Sequence, residues 1–420
     1  MQVAKTIPVR RETRNAMTMR DALRAYGHWV AASIAVALYY PRFIKTPGGL
    51  LQYPAAAECM LRAETPLHCD TTLFTYPPFF ALLMVPLVPL PEWLREAVWY
   101  LVLIGTTIAA LRICEVLALR LFPGNWTERE LVWFRILTFV LSLKFILAVL
   151  ENQAYDSLAL VFILAGLLAL VSERSVLAGM SFAVAAALKV TPLIFLPYLL
   201  VKRRFAGAAA FVVVLCILSL LPDLLLPPKA SWHLTTWLNE VALGPFRSNV
   251  SFIKNDFWTG GNPLNQSLRG VLARVIDELD QPQQFAMVLR IVIGLYVLCV
   301  GLLMLKSLRH DWLIPADGAL LVISMLLLSP VTSKSHLVVL MLPYTILAAA
   351  LVRDRSTRTT NAIVLAASFL LATASSGDLA GQQLSIWNYQ YSLMTWGILV
   401  LIVQLGVLIW SAQRKPQNLR

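Results

Sequence analysis

The sequence predicts an all-α polytopic membrane protein, and three observations carry that prediction. The 420-residue chain is 58% hydrophobic and only 14% charged, where a soluble domain carries about 25% charged residues. Its mean hydropathy is +0.70. Its apolar residues gather into runs of roughly 20, the length a helix needs to cross the hydrocarbon core of a bilayer.

Taken in order, the candidate spans are 26–44, 76–91, 97–120, 131–150, 154–171, 205–226, 286–306, 314–332, 337–352, 360–375 and 393–412. A shorter apolar pair, 176–188 and 190–200, falls between the fifth and sixth. About 10–12 membrane helices are expected. Two complete crossings do not fit into segment 176–200 at about 1.5 Å per residue. It reads as a re-entrant hairpin with Lys189 near its tip. Lys and Arg set the orientation. Arg10, Arg11, Arg14, Arg20 and Arg24 place the N-terminus in the cytoplasm, with Lys202-Arg203-Arg204, Arg353/Arg355/Arg358 and Arg414/Lys415 on the same side. Five spans then precede Glu173-Arg174, an odd number between two cytoplasmic segments. Span 76–91 carries Pro77, Pro78, Pro86 and Pro89, and proline breaks helices. It reads as a broken or re-entrant element, which restores the parity.

This gives a basic cytoplasmic N-terminus (1–25), one transmembrane domain (26–412) and a cytoplasmic tail (413–420). Two large periplasmic loops, 45–75 and 227–285, are expected to be functional because structureless loops of that length are rare. The first 24 residues lack the apolar region of a cleavable signal peptide. The net charge of +12 reads as cytoplasmic loop charge. A nucleic-acid binder would need a basic face with interleaved aromatics in one soluble segment, so no nucleic-acid partner is expected. The five Cys form no CxxC and no zinc-type spacing with His, so no metal site is expected.

The chemistry-bearing residues collect on the predicted periplasmic face. Cys59 and Cys69, ten residues apart in an oxidising compartment, are disulfide candidates; the alternative is two unpaired thiols. A bridge would bring Glu58 and Asp70 together, and paired carboxylates make a general base. The turn "VLENQAYDSLAL" places Glu151, Asn152, Gln153 and Asp156 at a membrane edge, where polar groups are costly and mark function. The competing reading is a capped turn, with Asn152 or Asp156 serving the next helix. Lys189 either snorkels or meets an anion. Asn265, Gln266 and Arg269 in "NPLNQSLRGVLAR" suit hydroxyl-rich or phosphate ligands, or form a capped polar helix. Lys334 and His336 in "SPVTSKSHLVV" suit a lipid phosphate, or form a solvated turn.

The ordered set "FTYPPFFALLMVPLVPLP", "ENQAYDSLALVFILAGLLAL", "ALKVTPLIFLPYLLVKRR", "NQSLRGVLAR" and "LLLSPVTSKSHLVVLMLPY" resembles glycosyltransferase family 87 (DUF2029), the polyprenyl-phosphate-mannose-dependent mannosyltransferases of the GT-C fold. The resemblance spans roughly residues 45–345. It implies a GT-C-like domain in the bacterial inner membrane. The implied reaction is a periplasmic, inverting hexosyl transfer, mannosyl in the first instance. The implied partners are a polyprenyl-phosphate sugar as donor, a lipid or glycan as acceptor, and membrane lipids. No cofactor and no metal are implied. A first-loop acid would deprotonate the acceptor hydroxyl, and Lys189, Asn265, Gln266, Arg269, Lys334, His336, Gln153 and Tyr76 would hold donor and substrate. In the family that acid precedes the loop tyrosine; here Gly49 stands before Tyr53. The base then falls to Asp70, which adjoins Tyr76-Pro77-Pro78, or to Glu58, which Arg62 neutralises at i,i+4. Two other classes compete: a lipid-linked saccharide transporter, which internal repeats would favour, and a non-catalytic subunit that kept the fold, which the missing acid favours.

Overall fold

The computed structural model describes residues 37–45, 48–69, 74–243, 261–276, 280–374 and 377–412. Among these residues every regular element is helical. The chain divides into two compact units, 1–45 and 46–420. Of the first, a helix over 37–45 (α1) is described; most of the candidate span 26–44 lies outside the described residues.

The second unit runs α2 (Gly49–Leu61), α3 (Pro78–Met84), α4 (Glu92–Leu121), α5 (Glu128–Glu151), α6 (Asp156–Val171), α7 (Ser175–Leu188), α8 (Phe195–Val201), α9 (Phe205–Leu225) and α10 (His233–Trp237). It continues with α11 (Leu268–Ala273), α12 (Pro282–Ser307), α13 (Ile314–Leu328), α14 (Met341–Arg353), α15 (Arg358–Phe369), α16 (Gly377–Gln390) and α17 (Leu393–Ala412).

Seven of the described helices are long and apolar enough to cross a membrane: α4, α5, α9, α12, α13 and α14 with their leading 3₁₀ turns, and α17. The chain is a multi-pass membrane protein. Among the described residues, two further candidate spans are apolar helices shorter than this measure requires. The 154–171 span is a 16-residue helix, and 360–375 is a 12-residue helix finished by a π turn. The 76–91 element is α3 plus the 3₁₀ turn Val85–Leu87, as the prolines require. Segment 176–200 is a hairpin: α7 stops at Lys189, a 3₁₀ turn Thr191–Ile194 follows, and α8 returns.

Side-chain bonds sort the turns between helices into two ends. At one end Arg353 meets Glu130 and the Asn125 carbonyl, Lys202 meets Asp317 and the Ser307 carbonyl, Arg204 meets Asp311, and Arg120 meets Ser172. This basic end holds Lys202, Arg204 and Arg353, which the sequence assigns to one side. The opposite end carries α2, α3, α10, α11, the α5–α6 turn, the Lys189 break and the 329–336 segment. Both large loops meet there. Lys229 donates its backbone N–H to the Ala63 carbonyl, Trp237 Nε1 donates to the Thr75 carbonyl, and His68 pairs with Glu240 at 2.9 Å.

Small residues decide how closely the inner helices approach. A Cβ on Gly179 of α7 would run into the Gly207 carbonyl of α9, and one on Gly166 of α6 into the Phe182 ring. Membrane helices that pack through small residues bring their backbones together. The spans around α13 and α14 are 83% buried and lie in the interior, whereas that of α12 is 11% buried and faces outward. Within α5, the buried Lys144 donates to the Ala372 and Thr373 carbonyls of the π turn Leu370–Ala374, at 2.6 and 3.4 Å. A π turn leaves carbonyls without their usual helical donor, and a buried ammonium needs acceptors, so each satisfies the other.

Candidate active site

The site is built where several helices stop at the same end. α5 ends at Glu151, and its C-cap Asn152 donates Nδ2–H to the Ala148 carbonyl. Gln153 then takes φ +49°, a left-handed conformation that closes a helix end as glycine usually does. α6 begins at Asp156, which caps nothing: its N-cap is Tyr155, without a side-chain cap bond. The capped-turn reading therefore holds for the Asn152 end of α5 and not for Asp156.

Asp156 instead faces Lys189. Lys189 Nζ lies 2.5 Å from Asp156 Oδ1, with the two side chains 17% and 5% exposed. The Ser335 side chain also hydrogen-bonds Asp156, and the His336 ring stands close to both charges. Ser333 donates its backbone N–H to His336 Nδ1 at 3.3 Å, and the ring also bonds the Val331 backbone. A cavity of about 20 Å³ is walled by Asp156, Lys189, Thr191, Ser329, Thr332 and His336 with apolar neighbours. That is room for about one water molecule, so Asp156, Lys189 and His336 form a floor and not a sugar pocket. Beside it, Lys334 pairs with Glu151 at 3.5 Å, the two side chains 24% and 23% exposed.

An aromatic cluster stands against this group. Tyr53 of α2 is 1% exposed and meets Tyr76, Phe80, Trp99 and Tyr155 edge-on, with centroids 4.8–5.8 Å apart. Phe80 stacks on Tyr155 at 4.2 Å, and Lys189 Nζ lies 6.0 Å above the Tyr155 ring. Burial pushes the Tyr76 hydroxyl up to about 12 and that of Tyr53 well above its usual value, so both phenols stay protonated as donors. The Tyr155 hydroxyl is buried with no partner among the described residues.

α2 is bolted to the α5–α6 turn through its first residues. Gly49 donates its N–H to the Asn152 carbonyl at 2.9 Å, Gly48 donates to Gln153 Oε1 at 3.2 Å, and Trp99 Nε1 donates to the Gln153 carbonyl at 2.9 Å. A Cβ at Gly49 would fall inside the Tyr53 hydroxyl and ring. The tyrosine fills the room in which a side chain at position 49 would stand.

Of the residues singled out in sequence, Lys189, Lys334, His336, Gln153 and Tyr76 come together here. Gln153 acts through its backbone and its bond to Gly48. Asn265 and Gln266 are buried struts. Asn265 donates to the Pro330 carbonyl and accepts from the Ser267 and Thr332 N–H groups. Gln266 donates to the Pro263 and Tyr389 carbonyls and accepts from Thr395. They fasten loop 261–267 to the segment that carries Lys334 and His336. Arg269 is on α11, next to these struts. Cys59 and Cys69 are joined, Cα to Cα 6.3 Å apart. With their sulfurs spent on each other, the nearby Glu64 completes no metal set. Glu58 is exposed on α2, and Arg62 turns to Glu64 at 3.5 Å instead of to Glu58. Asp70 lies outside the described residues. Glu151 and Asp156 were visible in the sequence as acids at an apolar edge; their lysine partners, 183 and 33 positions away, were not.

The sequence is similar to two known proteins, and the structure to a third. The mannosyltransferase of Mycobacterium tuberculosis (strain CDC 1551 / Oshkosh) described as polyprenol-phosphate-mannose-dependent alpha-(1-2)-phosphatidylinositol pentamannoside mannosyltransferase is 29% identical over 271 residues, 63% of this chain and 55% of that one. Its namesake in Mycolicibacterium smegmatis (strain ATCC 700084 / mc(2)155) is 26% identical over 297 residues, 69% and 62% of the two chains. The chain thus spans less than two thirds of the length of either relative. The crystal structure of ArnT from Cupriavidus metallidurans bound to undecaprenyl phosphate superposes with a TM-score of 0.39 at 16% identity, over 92% of this chain and 78% of that one. The model of glycosyltransferase family 87 matches residues 74–330, more than half of the sequence and both lysine–carboxylate pairs' acids, and the chain belongs to that family.

Proposed function

We propose that this protein transfers a hexosyl group, mannose in the first instance, from a polyprenyl-phosphate donor to a hydroxyl of a lipid or glycan acceptor. The observation that carries the reading is the convergence of Lys189, Lys334 and His336 at one end of an apolar bundle, within a chain of glycosyltransferase family 87. A polyprenyl tail partitions into the bilayer, and its phosphate then lies at the helix ends, where these groups stand. The positive-inside pattern supports a cytoplasmic basic end, and with it a site on the periplasmic face of the bacterial inner membrane.

As the sugar leaves, charge grows on the phosphate oxygen, and fixed cations around it lower the barrier. Lys334 is the more available cation. Its pair with Glu151 is longer and more exposed than that of Lys189 with Asp156, and exposed pairs are worth only about 0–1 kcal/mol. Lys189 is held by Asp156 and sets the floor of the site. Of the aromatic cluster, Tyr76 is partly exposed and offers a flat face and a donor of the kind that line sugar sites, with Tyr53 and Tyr155 buried behind it.

The test is donor turnover by the purified chain, with radiolabelled polyprenyl-phosphate mannose and an alkyl mannoside. Sugar transfer supports the reading. Binding of polyprenyl phosphate without turnover favours the non-catalytic subunit, and movement of the labelled lipid across liposomes favours a transporter.

A further inference from the structure

A cleft of about 940 Å³ lies at the site end of the bundle, between the segment 261–276 and the junction of α16 with α17. Sites for small ligands have volumes of about 300–1,000 Å³. Neither lysine of the donor cluster lines the cleft, and neither does His336. Its walls are chiefly apolar, with Leu264, Val275, Ile386 and Trp396 among them. Val275, Ile386 and Trp396 are exposed, as is Tyr391 beside them. Trp396 stands in the first turn of α17, at the end of a span. Tyrosine and tryptophan collect at that depth, where lipid headgroups meet the hydrocarbon.

Of the described residues that line the cleft, only Arg274 is charged. It is the C-cap of α11, and its Nη1 donates to the Asn262 and Asn265 carbonyls at 3.0 and 2.9 Å. Its Nη2 donates to Ser392 Oγ at 2.5 Å, and its Nε is buried with no acceptor among the described residues. The guanidinium carries more protons than these bonds use. Every one of these acceptors is neutral, and among the described residues Arg274 forms no ion pair. Burial lowers its pKa, with no negative group to oppose the shift. Lys189 and Lys334, by contrast, each face a carboxylate. Bracing a loop takes donors and not a charge. A half-buried charge without a counter-charge costs free energy, and a bound anion offsets that cost.

We propose that this cleft holds one anionic phospholipid, its phosphate on Arg274 and a chain against Leu264, Ile386 and Trp396. The phosphate takes guanidinium protons that the loop carbonyls leave over, and the chain covers apolar side chains that otherwise face outward. The site is distinct from the donor cluster but braced against it. Arg274 grips the Asn265 carbonyl, and the Asn265 side chain accepts the N–H of Thr332, two residues before Lys334. A headgroup on Arg274 therefore steadies the loop that fastens the segment of Lys334 and His336.

Native mass spectrometry of the purified full chain, released from neutral detergent micelles, counts bound phosphatidylglycerol and phosphatidylcholine. The chains compared are wild type, Arg274→Gln, Val275→Glu and Val275→Ser. Wild type should hold one phosphatidylglycerol at least about tenfold more tightly than phosphatidylcholine, and Arg274→Gln should lose that margin, the worth of a charge-assisted hydrogen bond. Arg274→Gln also loosens the loop, so Val275→Glu is the decisive variant. It leaves every Arg274 bond in place and sets a carboxylate in the cleft at an exposed position. It should melt with the wild type and lose phosphatidylglycerol on the same scale, whereas Val275→Ser should keep it. Millimolar inorganic phosphate should not displace the lipid. Equal binding of the two lipids overturns the proposal, as does phosphatidylglycerol binding by Val275→Glu within about threefold of wild type. Displacement by inorganic phosphate overturns it too, because that marks a site for a free anion. If Val275→Glu loses polyprenyl phosphate in step with phosphatidylglycerol, the cleft is the donor's own seat and the proposal falls. Every readout is binding, so each result stands whether or not the chain transfers sugar.

Discussion

Replacing Lys189 by Met tests whether the Asp156 pair is a structural keystone of the site. The pair is short, 2.5 Å, and mostly buried, with the side chains 17% and 5% exposed. Removing one member of such a pair leaves a buried charge uncompensated, which costs about 3–5 kcal/mol. The Ser335 bond to Asp156 survives the substitution. So does the position of Asp156 at the first residue of α6, where a helix dipole favours a negative charge by about 0.3–1 kcal/mol. The expected loss is therefore at the lower end, about 3 kcal/mol. Replacing both members by apolar residues of similar volume is often close to neutral, so Lys189→Met with Asp156→Leu should recover most of that loss. The assay is reversible unfolding in mixed micelles for the two single variants and the double, closed as a cycle. A coupling energy of at least about 2 kcal/mol is expected. Single-variant losses that simply add, or a Lys189→Met variant within about 1 kcal/mol of wild type, would refute the keystone role.

Other substitutions probe the parts around the site. Gly49→Ala forces a Cβ into the Tyr53 ring, and overpacking of this kind costs about 1–3 kcal/mol; a lower melting midpoint is expected, and an unchanged one would show that Tyr53 moves freely. The Cys59–Cys69 bridge closes a loop of ten-residue separation, so its removal by paired Cys→Ser substitution should lower stability by about 2–3 kcal/mol. Reducing agent should destabilise the wild type and leave that variant unaffected. Burial holds the Tyr53 and Tyr76 phenols above their usual value, Tyr76 to about 12, whereas an unfolded tyrosine loses its proton near 10. Above pH 10 the unfolded chain thus binds fewer protons than the folded one. Stability is intact below that pH and falls as pH rises towards 12. Tyr76→Phe should flatten the decline; a phenolate band from Tyr76 appearing near pH 10 in the folded protein would contradict it.

The membrane character, the break at the prolines of 76–91 and the hairpin at Lys189 were legible in sequence because each rests on local composition. Helix ends were harder to place. Ala63, Gln153, Glu173, Arg203 and Ser392 all adopt positive φ at or near helix ends, and none is the glycine that marks such a place in sequence. The cationic cluster was legible as separate residues on one face, but pairing is a tertiary fact. Nothing local distinguishes Asp156, locked under Lys189, from Glu151, reachable beside Lys334. Asn265 and Gln266 are open amides in sequence, and only the fold shows the carbonyls that their side chains meet. Position 49 shows the limit best. In sequence it is a missing acid, and in the fold it is a space already taken.

The contact between Gly179 and Gly207 sets the height of α7 against α9. Lys189 follows ten residues later, about 15 Å along the helix axis. The two glycines thus act as a datum from which the ammonium's position is measured. A methyl group added at either would not touch the chemistry, yet it would lift the whole helix and carry the lysine out of register with Asp156. Variation that silences this protein can therefore lie a full half-membrane from the reaction, at residues with no side chain at all.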